Sequence, residues 1–290
     1  MFNYQTVKKP KNTIEFILTI PNKTIDLEYK KSFAELQKEL VVEGFRKGKV
    51  PKTIAEKHLK KEMVYQKMLS NLLPRLYQEI IKKESIQPII SPKIDLVKAK
   101  EDEDWQVKIT IALKPIVNLK NFKEEIKKIK DEEKKNDIWL PGKETKELTE
   151  SEKEKQKQML LNKILDRLLK TIDCEIADLI IEEDLNRRLT QLVDDIQKIG
   201  LTVESYLRSK NITYEQLKEQ YRNEIVNTYK LEFILQAIAD AEGITVENKD
   251  LDHLFSLIKD EKEREMARKN AYFYASILRK QKTLDLLLSL

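Results

Sequence analysis

The sequence predicts an α+β N-terminal domain followed by an all-α, elongated helical domain. Turn-forming residues are scarce, with 5 Gly and 8 Pro among 290 residues, and all the prolines lie at or before Pro141. Sandwiches and barrels of short strands need turn residues about every ten positions, so those folds are excluded. The hydrophobic period also changes early in the chain from two residues to three or four, which indicates a strand followed by helices.

The first predicted strand covers Ile14 to Ile20, where every second residue is apolar, and Pro21 ends it. Apolar residues then recur at helical spacing, which predicts an amphipathic helix over about 26–43 with Gly44 as its C-terminal cap. A second, longer helix is expected after Pro51.

A capping box, Thr53 to Glu56, is expected to help begin this second helix. Pro74 lies inside the helical pattern, where it should kink the helix or split it in two.

Two more strands complete the N-terminal domain. Ile94 and Leu96 alternate with polar residues, an acidic turn follows, and alternate residues from Trp105 to Leu113 are apolar. The order strand-helix-helix-strand-strand predicts helices on one face of an antiparallel sheet, over residues 1–117.

Residues 118–148 resemble a charged connector, and everything after them has a helical pattern. Capping boxes at Thr149–Glu152 and Thr213–Gln216 begin two of these helices, and Gly243 ends the second. One or two further helices should reach the C-terminus. The helical domain is therefore placed at 149–290.

The charge is unevenly distributed along the chain. Residues 1–130 contain 28 Lys and Arg against 17 Asp and Glu, whereas residues 131–290 contain 27 against 33. The basic front half suggests a polyanionic partner, and the acidic rear half argues against the whole chain lying along one. No segment has the length and apolarity of a membrane span, so we expect a cytoplasmic protein that does not bind membranes.

The sequence offers little for catalysis or for cofactor and metal binding. Its two histidines, His58 and His253, are far apart among charged residues, and the single Cys174 cannot complete a metal cluster. The segment from Gly44 to Val50 does not match a phosphate loop, because three residues instead of four separate the glycines and no hydroxyl follows the lysine. We therefore expect no catalytic residue, no metal and no cofactor.

The same segment is better interpreted as a recognition loop. Gly44 and Gly48 permit unusual backbone angles and Pro51 fixes the start of the next helix, so Phe45 to Lys47 should project outward. Seven cations and one acid, Glu56, lie in 46–61, a density that can neutralise several phosphates. The cations are Arg46, Lys47, Lys49, Lys52, Lys57, Lys60 and Lys61. On composition alone, an ordinary helix connection with Phe45 folded inward is an equal alternative.

The eight residues of this loop resemble the G-F-R-x-G-x-x-P signature of trigger factor, a family of bacterial ribosome-associated chaperones. They are Gly44, Phe45, Arg46, Lys47, Gly48, Lys49, Val50 and Pro51. The order of elements around the loop is similar too, and the C-terminal half is similar to the family's helical chaperone domain.

The resemblance implies an ATP-independent chaperone that binds the large ribosomal subunit, both its rRNA and its protein, near the polypeptide exit tunnel. The eight loop residues would bind the ribosome, and the helical domain would hold nascent or unfolded chains. Protein transport and cell division are further roles associated with the family. The sequence leaves open whether the free protein forms a homodimer.

The chain departs from the family pattern at one place. The family usually carries an FKBP-type prolyl isomerase domain, on the order of 100 residues, between these two parts. Only 31 residues, 118–148, are available here, so we expect this domain and its activity to be absent.

Aromatic and aliphatic residues of the helical domain are the candidates for client binding, although helix packing is an alternative role for each. They are Tyr229, Phe233, Leu235, Tyr272, Phe273, Ile277, Leu278 and Leu287. Five leucines within residues 284–290 exceed what one helix face can bury, so this tail either packs across the connector or contacts clients.

Two other functions remain open: a general RNA-binding module that uses the basic half, and a family member that retains prolyl isomerase activity elsewhere in the chain.

Overall fold

The structure is a computed structural model and describes residues 2–136 and 149–290. The chain divides into two compact units, Met1–Lys114 with Ala177–Ile180, and Pro115–Ile176 with Ile181–Leu290. The first unit is a sheet covered by helices and the second is helical, which confirms the predicted fold class.

The sheet of the first unit has four antiparallel strands in the order β1-β2-β4-β3. They are β1 (Asn3–Lys9), β2 (Thr13–Ile20), β3 (Lys93–Lys98) and β4 (Trp105–Ala112). The central pair is in register from Thr13 opposite Ala112 to Ile20 opposite Trp105. The apolar residues of both strands therefore share one face, as the alternation predicts.

Strand β1 is absent from the sequence-based prediction. Its residues are mostly polar, and only Tyr4 and Val7 are half-buried, because it is an edge strand that pairs only with β2. The turn to β2 places Lys11 and Asn12 at φ values of 56° and 51°. Such turns favour Asn-Gly, so a Lys-Asn pair gives a weak hairpin signal.

Two helices, α1 (Asn22–Glu39) and α3 (Lys61–Glu84), pack on the apolar face of the sheet. Leu72 and Ile80 of α3 are fully buried against Phe16 and Ile109 of the sheet. At 24 residues, α3 is about 36 Å long and extends beyond this core.

The helix boundaries around residues 40–60 differ from the predicted ones. Helix α1 ends at Glu39 instead of 43, so Gly44 does not cap it. A short helix, α2 (Lys52–His58), is separate from α3, and the chain is extended at Leu59, whose side chain is buried. Pro51 occupies the N-cap position of α2, which leaves Thr53 inside the helix without a capping bond.

Of the two effects predicted for Pro74, the split is wrong, because α3 continues through this residue. A proline in a helix leaves the carbonyl four residues earlier without its backbone donor. That carbonyl belongs to Ser70, and Ser70 and Pro74 are both exposed. Water can therefore bind the carbonyl in place of the missing donor.

The described part of the second unit contains eight helices. They are α4 (Phe122–Asn136), α5 (Glu150–Thr171), α6 (Asp178–Lys198), α7 (Val203–Lys210), α8 (Tyr214–Ala241), α9 (Asn248–Ser256), α10 (Glu261–Lys269) and α11 (Ala271–Ser289). The capping boxes of α5 and α8 are confirmed. Three helices follow Gly243, instead of one or two, because the chain breaks around 257–260 and at Asn270.

The segment interpreted as a connector contains helix α4. Phe122, Ile126 and Ile129 form its buried stripe, and it packs against α5. Lys130 of α4 donates a 2.6 Å hydrogen bond to the carbonyl of Leu288, so the leucine-rich tail contacts this segment. The remainder of the connector, 137–148, lies outside the described residues.

Within residues 2–136 and 149–290, none of the helices has the length and apolar character needed to cross a membrane.

Glu28 links α1 to α3. Its side chain is buried, and it accepts hydrogen bonds of 2.9 Å from Arg75 of α3 and 3.0 Å from Lys31. Burial raises the pKa of Glu28, but the hydrogen bonds from Arg75 and Lys31 outweigh it and the net pKa is lowered. The ionised carboxylate is therefore the form that stabilises the fold.

We expect Glu28→Gln to lower the free energy of unfolding at pH 7 by about 1–2 kcal/mol, because Arg75 and Lys31 lose a charged acceptor. Since the folded-state pKa is lowered, this contribution is complete above the unfolded pKa of about 4.3 and is lost as the pH falls through the folded-state pKa. Urea unfolding at pH 7 and pH 3 measures both effects.

Glu79→Gln, at an exposed position of α3, is the control and should change the free energy of unfolding little. A Glu28→Gln effect that is equal at both pH values would contradict this account.

Candidate functional site

The loop between α1 and α2 is fixed at its ends by a small hydrophobic cluster. Val50 is 2% exposed and packs with Phe33 of α1, Ala55 of α2 and Val64 of α3. The side-chain amide of Gln37 also donates a 2.7 Å hydrogen bond to the carbonyl of Val50. The loop therefore leaves α1 and returns to α2 at defined points.

Two consecutive tight turns form the tip of the loop. The amide of Phe45 donates to the carbonyl of Val42 at 3.0 Å, and the amide of Lys49 donates to the carbonyl of Arg46 at 2.9 Å. Gly44 and Gly48 each occupy the third position of a turn, with φ values of +85° and +78°. A positive φ at this position is the requirement of a type II turn and favours glycine. The four-residue spacing of the glycines follows from two successive four-residue turns.

The turns expose the side chains between the two glycines. Phe45 is 38% exposed, and Arg46, Lys47 and Lys49 are all exposed. This placement agrees with outward projection of Phe45 rather than with the alternative in which it folds inward. Val50 is an exception among the eight predicted site residues, because its side chain is part of the core.

The cations near the loop differ in their ionic partners. Lys52 lies 3.7 Å from Glu56, and Lys61 lies 2.9 Å from Glu101, which raises the pKa of Lys61 through a hydrogen bond. Within the described parts of the chain, the remaining cations of 46–60 have no carboxylate within 4.0 Å. These are Arg46, Lys47, Lys49, Lys57 and Lys60. The loop end of the first unit therefore presents positive charge that the described residues do not neutralise.

The structure divides the candidate client-binding residues into three groups by exposure. Phe233, Leu235 and Leu287 are buried among helices and cannot offer a free surface, because packing has covered them. Tyr229 and Leu278 are half-buried. The exposed candidates are Tyr272 (91%), Phe273 (60%) and Ile277 (46%), all on α11.

Two further exposed apolar residues near α11 are absent from the sequence-based candidates. Leu257 follows α9 and Met266 lies on α10, and both are well exposed. Met266 is surrounded by charged residues, so its helix shows little apolar pattern. The sequence pattern does not show that the helices break at 257–260 and at Asn270. The exposure of Leu257 and Met266 is therefore visible only in the structure.

Tyr272 also lines a groove of about 490 Å³ between α8 and α11. Leu235, Ala239 and Ile244 contribute apolar lining. Arg279 borders the groove and is held by Asp240 at 2.6 Å and by the carbonyl of Ile244 at 2.8 Å.

Fold and site together define a class of two-unit binding protein: an α+β unit that presents a basic turn-turn loop, and a helical unit with exposed aromatic residues. The family model for the bacterial trigger factor protein matches residues 2–139, and that for the trigger factor C-terminus matches residues 142–289. The chain therefore belongs to the bacterial trigger factor family.

Individual relatives agree with this assignment. A trigger factor of Lactococcus lactis subsp. cremoris (strain SK11) is 26% identical over 179 residues, 62% of this chain and 38% of the relative. A trigger factor of Lactiplantibacillus plantarum is 37% identical over 117 residues, 40% of this chain and 27% of the relative. These alignments span less than two fifths of the relatives' own length.

A solved structure of the trigger factor chaperone, reported for promiscuous substrate recognition in folding and assembly, shares the fold. It superposes with a TM-score of 0.65 at 15% identity and covers 99% of both chains.

Only residues 140 and 141 lie between the two family matches. An FKBP-type domain on the order of 100 residues cannot be placed there. The family matches therefore support the predicted absence of that domain between the two parts.

We expect Gly48→Ala to lower the free energy of unfolding by about 1 kcal/mol, because a residue with a Cβ is strained at φ +78°. The added Cβ would lie 3.5 Å from the carbonyl of Lys38, an ordinary contact, so the strain comes from the backbone. Urea unfolding is the measurement. Gly48→Asn should lower the free energy of unfolding by less, since Asn tolerates this conformation.

Lys47→Ala is the matched control, one position earlier in the same turn, and should change stability by less than about 0.5 kcal/mol. Equal stabilities for Gly48→Ala and Lys47→Ala would argue against the turn geometry.

Proposed function

We propose that this protein is an ATP-independent cytoplasmic chaperone that binds the large ribosomal subunit near the polypeptide exit tunnel. Its helical unit would hold nascent or unfolded chains. The observation that carries the proposal is the basic loop, in which two turns expose Phe45, Arg46 and Lys47. Membership of the trigger factor family supports the chaperone role.

The chemistry of the loop suits a ribosomal surface. Arg46 and Lys47 supply charge for rRNA phosphates or for carboxylates of a ribosomal protein. Phe45 supplies an aromatic anchor of the kind that contributes most energy when an apolar pocket receives it. Because Val50 and Gln37 hold the loop, little conformational freedom is lost on binding.

Exposed apolar side chains of the second unit support a role in holding clients. Tyr272, Phe273 and Ile277 lie on one helix, with Met266 and Leu257 nearby in the chain. Unfolded chains expose apolar segments, and scattered exposed apolar residues can bind many such segments weakly. The excess of acidic residues after 130 would keep this unit away from rRNA.

We expect neither ATP use nor prolyl isomerisation. The loop lacks the spacing and hydroxyl of a phosphate-binding motif, and no FKBP-type domain fits between the family matches. Catalysis of prolyl cis/trans exchange in a peptide assay would favour the isomerase alternative.

A general RNA-binding module is the second candidate, and the unneutralised cations of 46–60 favour it. The two functions differ in their targets. The RNA-binding module would bind any RNA at low salt, whereas the chaperone should prefer intact ribosomes over an equal mass of unrelated RNA.

Replacing the loop tip should weaken ribosome binding. We expect Phe45→Ala/Arg46→Ala/Lys47→Ala to lose at least about tenfold in affinity, because it removes the aromatic anchor and two cations. Co-sedimentation with bacterial 70S ribosomes measures this.

Lys8→Ala/Lys82→Ala is the charge control, at exposed positions of β1 and α3 away from the loop, and should bind like the wild type. Undiminished binding by the loop variant would refute the docking proposal.

Replacing the exposed residues of α11 should weaken client holding. We expect Tyr272→Ser/Phe273→Ser/Ile277→Ser to lose roughly half or more of the suppression of aggregation of an unfolding client, since apolar contact area is removed. Light scattering measures aggregation.

Leu27→Ser/Val41→Ser/Val97→Ser is the matched control, because it removes three exposed apolar residues from the first unit. If this control weakens suppression and the α11 variant does not, clients bind the first unit instead.

A further inference from the structure

Three exposed cations are here named the flanking strip: Lys49 at the end of the loop, Lys57 on α2, and Lys60 just before α3. In the described ranges 2–136 and 149–290, none of the three has a carboxylate within 4.0 Å. Elsewhere in the same unit, Arg75 pairs with Glu28 and Lys108 with Asp95. The strip is therefore a place where the described residues leave positive charge without an acidic partner.

The flanking strip is held by the same hydrophobic cluster as the loop. Val50, Ala55 and Leu59 are buried in that cluster, and the strip residues lie between or beside them in the chain. On a helix, residues two apart differ by about 200°, so Lys57 lies opposite the buried Ala55. Loop and strip are thus fixed relative to each other.

The composition of this segment fits a phosphate backbone better than a protein surface. Lys is depleted and aromatic residues are enriched at the centres of protein interfaces. Within the described stretch 46–60, no Phe, Leu, Ile, Val or Met is exposed, whereas six Lys or Arg are. Nucleic-acid interfaces use such cations to neutralise phosphates without reading the bases.

Dimensions agree with this chemistry. The seven residues of α2 are about 10 Å long, and charges along one nucleic-acid strand recur at roughly 3.4 Å, so the strip spans about three phosphates.

We propose that the flanking strip binds the phosphate backbone of rRNA beside the point where Phe45 docks, as a second contact that extends beyond the eight-residue loop to Lys57 and Lys60. This inference rests on the proposed function, because it takes the large ribosomal subunit as the target. The loop fixes the position and the strip supplies salt-sensitive affinity.

The test is the salt dependence of binding of the full chain to purified bacterial large ribosomal subunits. Each phosphate contact contributes about 0.7–0.9 to the slope of log affinity against log salt concentration. We expect Lys57→Gln/Lys60→Gln to reduce this slope by about 1.5 and to weaken binding about tenfold at moderate salt.

The control is Lys8→Gln/Lys82→Gln, which removes two exposed cations from other positions. Lys82 lies 22 residues beyond Lys60 along α3, about 33 Å away. Lys8 pairs with Ile14, whereas the start of α3 contacts the other end of the sheet, where Tyr65 packs on Trp105. This control should keep the wild-type slope, and an equal loss of slope in both double variants would overturn the proposal.

Two outcomes separate this inference from the proposed function. Wild-type binding by the Phe45→Ala/Arg46→Ala/Lys47→Ala variant contradicts the docking function itself. Reduced binding by that variant, together with a wild-type slope for Lys57→Gln/Lys60→Gln, contradicts only the strip.

A photo-crosslinking amino acid in place of Lys57 identifies the neighbour directly. A ribosome-dependent product that nuclease degrades supports the proposal, and one that only protease degrades overturns it.

Discussion

The small hydrophobic cluster around Val50 is the constraint on which the candidate site of the first unit depends. It joins α1, the loop, α2 and α3, although only five of its side chains are buried. Because Val50 is buried and its carbonyl accepts a bond from Gln37, the chain must return to the same point after the two turns. The exposed loop residues are therefore held by buried neighbours, which is how a rigid scaffold positions a binding loop.

Sequence patterns were most reliable where burial repeats regularly. Alternation identified β2 and β4, because both strands place every second side chain in one core. Strand β1 and the end of α1 were missed for opposite reasons: β1 buries too little to show a pattern, and apolar residues after Glu39 continue a helical spacing while they pack in the loop cluster. The helix was expected to split at Pro74, but whether it does depends on whether the carbonyl of Ser70 can reach water. The sequence alone does not show this.

The backbone turns of the candidate site could be predicted from the sequence. Which of its side chains are exposed or paired could not. The spacing of Gly44 and Gly48 indicated a turn loop, since few other residues adopt positive φ. Which cations lack partners depends on neighbours far away in sequence: Lys61 meets Glu101, 40 residues later, whereas Lys57 and Lys60 meet no acid in the described structure. Likewise, Phe233 and Tyr272 are both aromatic residues of amphipathic helices. Phe233 is buried because α8 packs against other helices, whereas Tyr272 is exposed, and the sequence pattern does not distinguish them.

The proposed function places opposite demands on the exposed side chains of the two units. Docking at one site needs a fixed aromatic residue among cations, which Phe45 provides. Holding unlike clients needs apolar contacts that are exposed yet do not self-associate. Met266 illustrates the second demand, because seven of the nine residues of α10 are charged. Such charges flank an apolar residue and oppose aggregation through it. Interrupted apolar surface also limits the affinity for any one segment, which favours release. A continuous apolar stripe on α10 would bind more tightly, but it would lose this reversibility.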